Sequence, residues 1–237
     1  MGLRLVDLSF PIYDRMPTYA FNPKTVVIPH MRIRDLGFNM HQLLLCTRLG
    51  THLDAPFHFI DGGLTIDKLD LRKCIGPAVV VDLTSKAPKE EIRPEELEPY
   101  KQAVASCGRM ILRTGWDKRF PSDEYFTEHP AVTKEACAWM IEQGVVCLAL
   151  DMPSTHPSEY AETHRMLLGP GADVVLVEGL RGLERLEGTE VLLIALPMAI
   201  EGSDGSFCRA VAIDGDIASL AKSLNSLTFL QGTLQEL

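Results

Sequence analysis

The chain has 237 residues, of which 46% are hydrophobic and 23% charged, and its formal net charge is -9. That length and apolar content suffice for a sizeable core. The acidic balance argues against duplex nucleic acid as a partner, because such binding rests on Lys and Arg contacts to phosphate. A small anionic substrate stays open, since it needs only one local positive group.

The N-terminal segment Met1 to Asp7 lacks the apolar core and cleavage site of a signal peptide. Val6 stands where a myristoylation motif beginning at Gly2 wants Ser or Thr. Leu43 to Leu49 and the Pro-punctuated N-terminus read as strands and loops without helices. The apolar run Val79 to Leu83 reads as a buried strand. Lys86 to Pro99 is acidic and contains proline, so a surface excursion is expected there; within it Pro94 suits a first helical position, with acids in the first turn. Met110 to Arg113 and Val145 to Leu150 are further strands. Between them Thr133 can cap a helix running to Gln143, with Gly144 as its stop. Val174 to Val177 and Val191 to Ala195 complete the strands, and Asp216 can cap a last helix through Leu224. The longest apolar stretch, Val191 to Met198, is too short to cross a bilayer.

Strands alternating with helices indicate an α/β chain. The helix-poor first third makes a mixed sheet, or two stacked sheets with helices on one side, a better fit than a regular doubly wound fold. No linker stands out, so one domain spanning residues 1–237 is expected. The six cysteines (Cys46, Cys74, Cys107, Cys137, Cys147 and Cys208) are scattered without a C-x-x-C pair, which speaks against a zinc knuckle and for a reducing, cytoplasmic compartment.

The chemistry concentrates in Gly50-Thr51-His52-Leu53-Asp54-Ala55-Pro56-Phe57-His58. Alternate residues of a strand share a face, so His52 and Asp54 can project together. Pro56 turns the chain, which can bring His58 back towards them. Imidazole with carboxylate suits Zn, and also Mn or Fe(II); the alternative is a pair of surface histidines flanking a turn. His164 and Glu178 are the best distant candidates for further ligands. Glu178 ends a buried strand, where an unpaired carboxylate is costly; a salt bridge to Arg181 is its other reading. On its own, His164 would read as an ordinary helix-surface histidine.

The motif resembles the H-x-G-T-H-x-D-x-P-x-H pattern of the cyclase family of metal-dependent hydrolases, which includes bacterial kynurenine formamidase and isatin hydrolase. Supporting pieces fall in family order: Asp7-Leu8-Ser9, Leu112 to Trp116, Asp151-Met152-Pro153-Ser154, His164 with Leu167-Leu168, Glu178, Gly202 to Ser206, and Arg209 to Ala212. The resemblance implies a three-layer β/β/α fold of the swivelling-domain type with a mixed sheet, assembled as a homo-oligomer, a dimer or tetramer. It implies metal ligands at His52, Asp54, His164 and Glu178 for one or two ions of Zn or Mn, and a catalytic His58.

One departure stands out. Arg48 occupies the position of the family's first motif histidine, and a guanidinium has no lone pair to give a metal. Arg48 shares strand parity with His52 and Asp54 if Gly50 does not bulge. It then fills the vacated site with a fixed charge or binds a substrate carboxylate; otherwise it points to solvent. His41 and His156 are candidate substitute ligands, whereas His30 and His129 lack any supporting pattern.

The implied reaction is hydrolysis of an N-formyl or cyclic amide of a small molecule. The metal would acidify water, from a pKa of 15.7 towards about 7, and polarise the carbonyl, with His58 as general base and then acid. Thr51 is expected to orient ligands. Phe57, Phe59 and Trp116 are candidate walls for an aromatic ring, with at least one of them expected in the core instead. The rivals are a lactonase, cyclase or lyase on the same site, and a non-catalytic binding protein that keeps the fold. No G-x-S-x-G elbow, P-loop or G-x-G-x-x-G is present.

Overall fold

The computed structural model describes residues 2–216. The helix expected from Asp216 through Leu224 lies outside the described residues. In chain order the strands are β1 (Arg4–Asp7), β2 (Val26–Met31), β3 (Met40–Leu44), β4 (His52–Asp54), β5 (Ile75–Asp82), β6 (Glu91–Ile92), β7 (Arg109–Arg113), β8 (Ala131–Val132), β9 (Cys147–Leu150), β10 (Val175–Glu178), β11 (Glu190–Ile194), β12 (Gly205–Phe207) and β13 (Val211–Asp214). The helices are α1 (Ile33–Leu36), α2 (Pro94–Leu97), α3 (Lys101–Cys107), α4 (Asp123–Thr127), α5 (Lys134–Glu142) and α6 (Tyr160–Leu168).

Nine strands form one curled mixed sheet in the order β1-β13-β11-β5-β7-β9-β10-β4-β12. The centre, β5-β7-β9-β10, is parallel, and its strands are joined by helical crossovers. The flanking strands on both sides pair antiparallel. The central runs are apolar on both faces because both are covered. Val79, Val81, Met110, Leu112, Leu148, Leu150 and Leu176 pack against α3, α5 and α6. Val80, Ile111, Ala149, Val175 and Val177 turn to the other face, where the curl brings Leu53, Leu193 and Ala212 over them. Two β layers and one helical layer result, as expected for the β/β/α arrangement.

Local signals hold where they are strongest. Thr133 caps α5 through Ala136 N–H, and Ala136, Cys137 and Met140 are buried on one face of that helix. Pro94 opens α2, and its first turn is capped by Arg93 N–H donating to the Glu96 carboxylate. The excursion 86–99 is anchored rather than free, because Ile92 and Leu97 are fully buried.

The first third departs from expectation in one respect. It contains a short helix, α1, at the tip of an antiparallel arm formed by β2 and β3. The arm bears exposed Ile28, Ile33, Leu36, Phe38, Met40, Leu43 and Leu44.

Asp151, just past β9, fixes the turn that follows β7. Its buried carboxylate accepts from Thr114 N–H, the Thr114 hydroxyl and Gly115 N–H. Among the described residues, no helix is long and apolar enough to cross a membrane.

Candidate active site

Sheet pairing assembles the site. In β10 Leu176 faces the helices, so Glu178, two residues on, faces them too. In β4 Leu53 faces the inner core, which sends His52 and Asp54 to the helical side. The antiparallel register sets Glu178 opposite His52 and Leu176 opposite Asp54. Over this face lies α6, whose buried His164 reaches both carboxylates. The four candidates spread between residues 52 and 178 therefore meet at one point.

The distances are short. His164 Nε2 lies 3.3 Å from Asp54 Oδ2 and 3.2 Å from Glu178 Oε1. His52 Nε2 lies 3.4 Å from Glu178 Oε2 and 3.7 Å from Asp54 Oδ1. Ligand atoms of His52, Asp54 and Glu178 all fall within 4.8 Å of one another. All four side chains are buried. Glu178 therefore pairs with histidines rather than with Arg181, whose guanidinium sits over the Phe10 ring.

The ring nitrogens show what the point wants. His52 Nδ1 lies 2.9 Å from Gly50 O, and His164 Nδ1 lies 2.7 Å from Tyr160 O. A carbonyl only accepts, so both Nδ1 atoms carry the proton. In the neutral ring each Nε2 then presents a lone pair to the carboxylates. His52 Nε2, both Asp54 oxygens and Glu178 Oε1 are buried without a hydrogen-bond partner. Lone pairs facing lone pairs in a buried site call for a cation.

The field agrees. Burial alone would lower the pKa of His164, yet Glu178 and Asp54 push it up to about 10. His52 is raised against burial by Glu178 and Asp54. Burial would raise both carboxylates, but His164 foremost holds Asp54 and Glu178 below their ordinary range. Two imidazoles and two carboxylates are a donor set that fits Zn or Mn.

His58 stands beside this point. The turn Pro56–His58 follows β4 directly, and His58 Nε2 comes to 3.9 Å from Asp54 Oδ2. Its Nδ1 lies 3.4 Å from Asp204 Oδ2. Burial and, beyond the opposing pull of Asp54, the charge of Arg48 keep its pKa below the usual histidine value. His58 opens onto a cavity of about 250 Å³. Its polar lining is Arg48, Ser154, His164 and Glu178, and its apolar and aromatic lining includes Tyr19, Phe21, Phe59 and Tyr160.

Arg48 lines the cavity, though not by strand parity. Gly50 has φ +61° and β4 begins only at His52, so Arg48 projects from the preceding loop. Its Nε lies 3.4 Å from Asp204 Oδ2.

The aromatic expectations divide. Phe59 is a wall, its ring centroid 4.7 Å from that of His164. Trp116 is instead buried in the helix-side core, with its indole N–H on Tyr125 O, because the turn held by Asp151 points it away from the cavity. Phe57 is exposed and outside the cavity lining, since successive side chains of the 3-10 turn at Pro56 point about 120° apart. His41 lies on the exposed arm, and His156 Nδ1 accepts from Ser158 and Glu159 N–H ahead of α6, so neither substitutes as a ligand.

Asp204, Tyr19 and Tyr160 are cavity-side residues that the linear reading leaves without a role. Asp204 lies within the Gly202–Ser206 segment, but its partner Thr47 is 157 positions away, beyond any local spacing signal.

Buried ligand-type side chains around one point, with a further histidine on an adjoining cavity, make a candidate metal site. The comparisons with known proteins give its family. A family model described as a putative cyclase matches residues 6–157, more than half of the chain. The chain belongs to this cyclase family of metal-dependent hydrolases. It is similar to the kynurenine formamidase of Bacillus cereus, with 28% identity over 209 residues, covering 87% of this chain and 95% of that one. It is 33% identical to the kynurenine formamidase of Erythrobacter litoralis over 175 residues, covering 73% of this chain and 76% of that one. Isatin hydrolase A from Labrenzia aggregata superposes with a TM-score of 0.77 at 24% identity, covering 90% of this chain and 94% of that one. A potential metal-dependent hydrolase with cyclase activity superposes with a TM-score of 0.72 at 23% identity, covering 91% of this chain and 100% of that one. At these identities the two structures show a shared fold.

The site depends on one backbone crossing. Thr51 Oγ1 donates to Gly179 O at 2.6 Å and accepts from Phe10 N–H, tying the start of β4 to the end of β10. Gly179 has φ +66°, and a Cβ there would stand 2.4 Å from Gly50 O. Gly179→Ala is expected to cost about 1–3 kcal/mol from backbone strain and forced displacement. Urea unfolding measures it, and an unchanged midpoint would contradict the crossing's importance.

Proposed function

We propose that the chain hydrolyses an amide, N-formyl or cyclic, of a small aromatic substrate. The observation that carries this is the convergence of His52, Asp54, His164 and Glu178 on one point beside the cavity that His58 opens onto. These four residues would hold one divalent cation, Zn or Mn. When bound, it supplies Lewis acidity towards water and a carbonyl oxygen. The names of the relatives, kynurenine formamidase and isatin hydrolase, support amide hydrolysis on an aromatic compound.

His58 carries the proton. Its Nδ1 faces the Asp204 carboxylate, which favours the tautomer with the proton on Nδ1 and leaves Nε2 as the base. Nε2 takes a proton from the attacking water as the water oxygen bonds to the carbonyl carbon. The C–N bond then breaks, and the same Nε2–H protonates the departing nitrogen. Phe59 and Tyr160 provide flat apolar surface for the ring and keep bulk water from that end.

A lactonase or lyase on the same residues is the competing reading, and turnover of aryl formamides against aryl lactones separates them. His58→Ala is expected to lower kcat on an aryl formamide by about 10²–10⁴-fold while metal content and fold persist. Loss of metal together with unfolding in that variant would contradict the role assigned to His58.

Assembly with a second copy is part of the proposal. The β2–β3 arm exposes apolar side chains on a two-stranded ribbon, which is marginal alone. It carries Arg32 and Arg34 against one acid, Asp35, on a chain of net charge -9, so it complements the acidic remainder of another copy. Light scattering after size exclusion is expected to give at least twice the 26.3 kDa chain mass. A monomer at micromolar concentration would contradict it.

A further inference from the structure

We infer that the substrate of this cavity carries a carboxylate, and that the guanidinium of Arg48 is its anchor. The location of the reacting bond rests on the hydrolase reading; the anion subsite itself does not.

Arg48 is the one Lys or Arg among the residues lining the cavity. Its side chain is only 23% exposed. A guanidinium stays protonated, so this is a fixed positive charge beside the reacting groups. Only Nε is engaged, 3.4 Å from Asp204 Oδ2, through a single long contact. A salt bridge that used the whole group would be bidentate at about 2.7–2.9 Å. Among the described residues no acceptor hydrogen-bonds to Nη1 or Nη2. These are the atoms that grip a carboxylate by two parallel N–H bonds.

The support is rigid. Asp204 Oδ1 accepts from the Thr47 hydroxyl at 2.8 Å, and Asp204 O accepts from Ala55 N–H. Asp204 is thereby held from both sides and is a positioning residue for the guanidinium of Arg48, which lines the cavity. The same carboxylate faces His58 Nδ1, so the anion anchor and the proton carrier share one brace. Phe59 and Tyr160 line the same cavity. A planar ring bearing a carboxylate suits this combination of one fixed cation with aromatic walls.

The test is binding to the zinc-loaded protein, with benzoate and benzamide as isosteric probes in calorimetric titrations. Wild type is expected to prefer benzoate by about tenfold or more, as a charge-assisted bidentate contact gives. Arg48→Gln is expected to bring the two affinities within about twofold. Arg48→Lys keeps the charge without the fork and is expected to lower the preference at least threefold, which decides the matter should R48Q not fold. No preference in wild type, or a preference that survives in R48Q, overturns the inference, the latter placing the anion on another cation. Formanilide and 2-formamidobenzoate are assayed in parallel. Failure to hydrolyse either sinks the hydrolase reading, while the affinity ratio still decides the role of Arg48.

Discussion

Two carboxylates, Asp54 and Glu178, are buried side by side. Burying one unpaired carboxylate costs several kcal/mol, and two that face each other cost more. The rest of the site answers this constraint. His52 and His164 turn their Nε2 atoms inward, each oriented by a backbone carbonyl behind it. The arrangement is therefore organised around positive charge, supplied by protons on the imidazoles or by a cation. Such a site is unfavourable to build for stability alone, since apolar residues of similar volume would serve a core better.

The fold makes the convergence possible through register. A one-residue slip between β4 and β10 would send His52 and Asp54 into the inner core and bring Leu53 out. The Thr51–Gly179 crossing and the antiparallel ladder both oppose that slip. The curl of the sheet then buries Leu53 on the far side while α6 closes over the near side with His164. His58 needs no long-range placement, because Pro56 turns it back within one helical turn of Asp54. Arg48 arrives from the other flank of the same strand, and Asp204 braces both.

Much of this is legible in the linear sequence. The central strands show as short apolar runs between turn residues because both their faces are covered. Thr133 and Pro94 announce their helices by local chemistry. His52, Asp54 and His58 are legible because strand alternation and one proline suffice to group them. His164 and Glu178 are suspected as ligands, yet only tertiary pairing brings them together. The arm is not legible as a sheet with a helical tip, since its strands lack a buried face to impose period-two patterning. Trp116 misleads because an aromatic near a motif looks the same whether it lines a cavity or the core. Gly50 breaks the strand parity that would have linked Arg48 to His52, and Asp204 acts across 157 positions from Thr47.

The central claim is that four side chains hold one divalent cation. Elemental mass spectrometry of metal per chain, on protein dialysed separately against zinc and manganese and then against buffer, tests it most directly. The account predicts one tightly held ion per chain for at least one of the two metals, because the four ligands face a single point and Arg48 cannot complete a second site. No retained metal under either condition would contradict the account, and two ions per chain would contradict the single site.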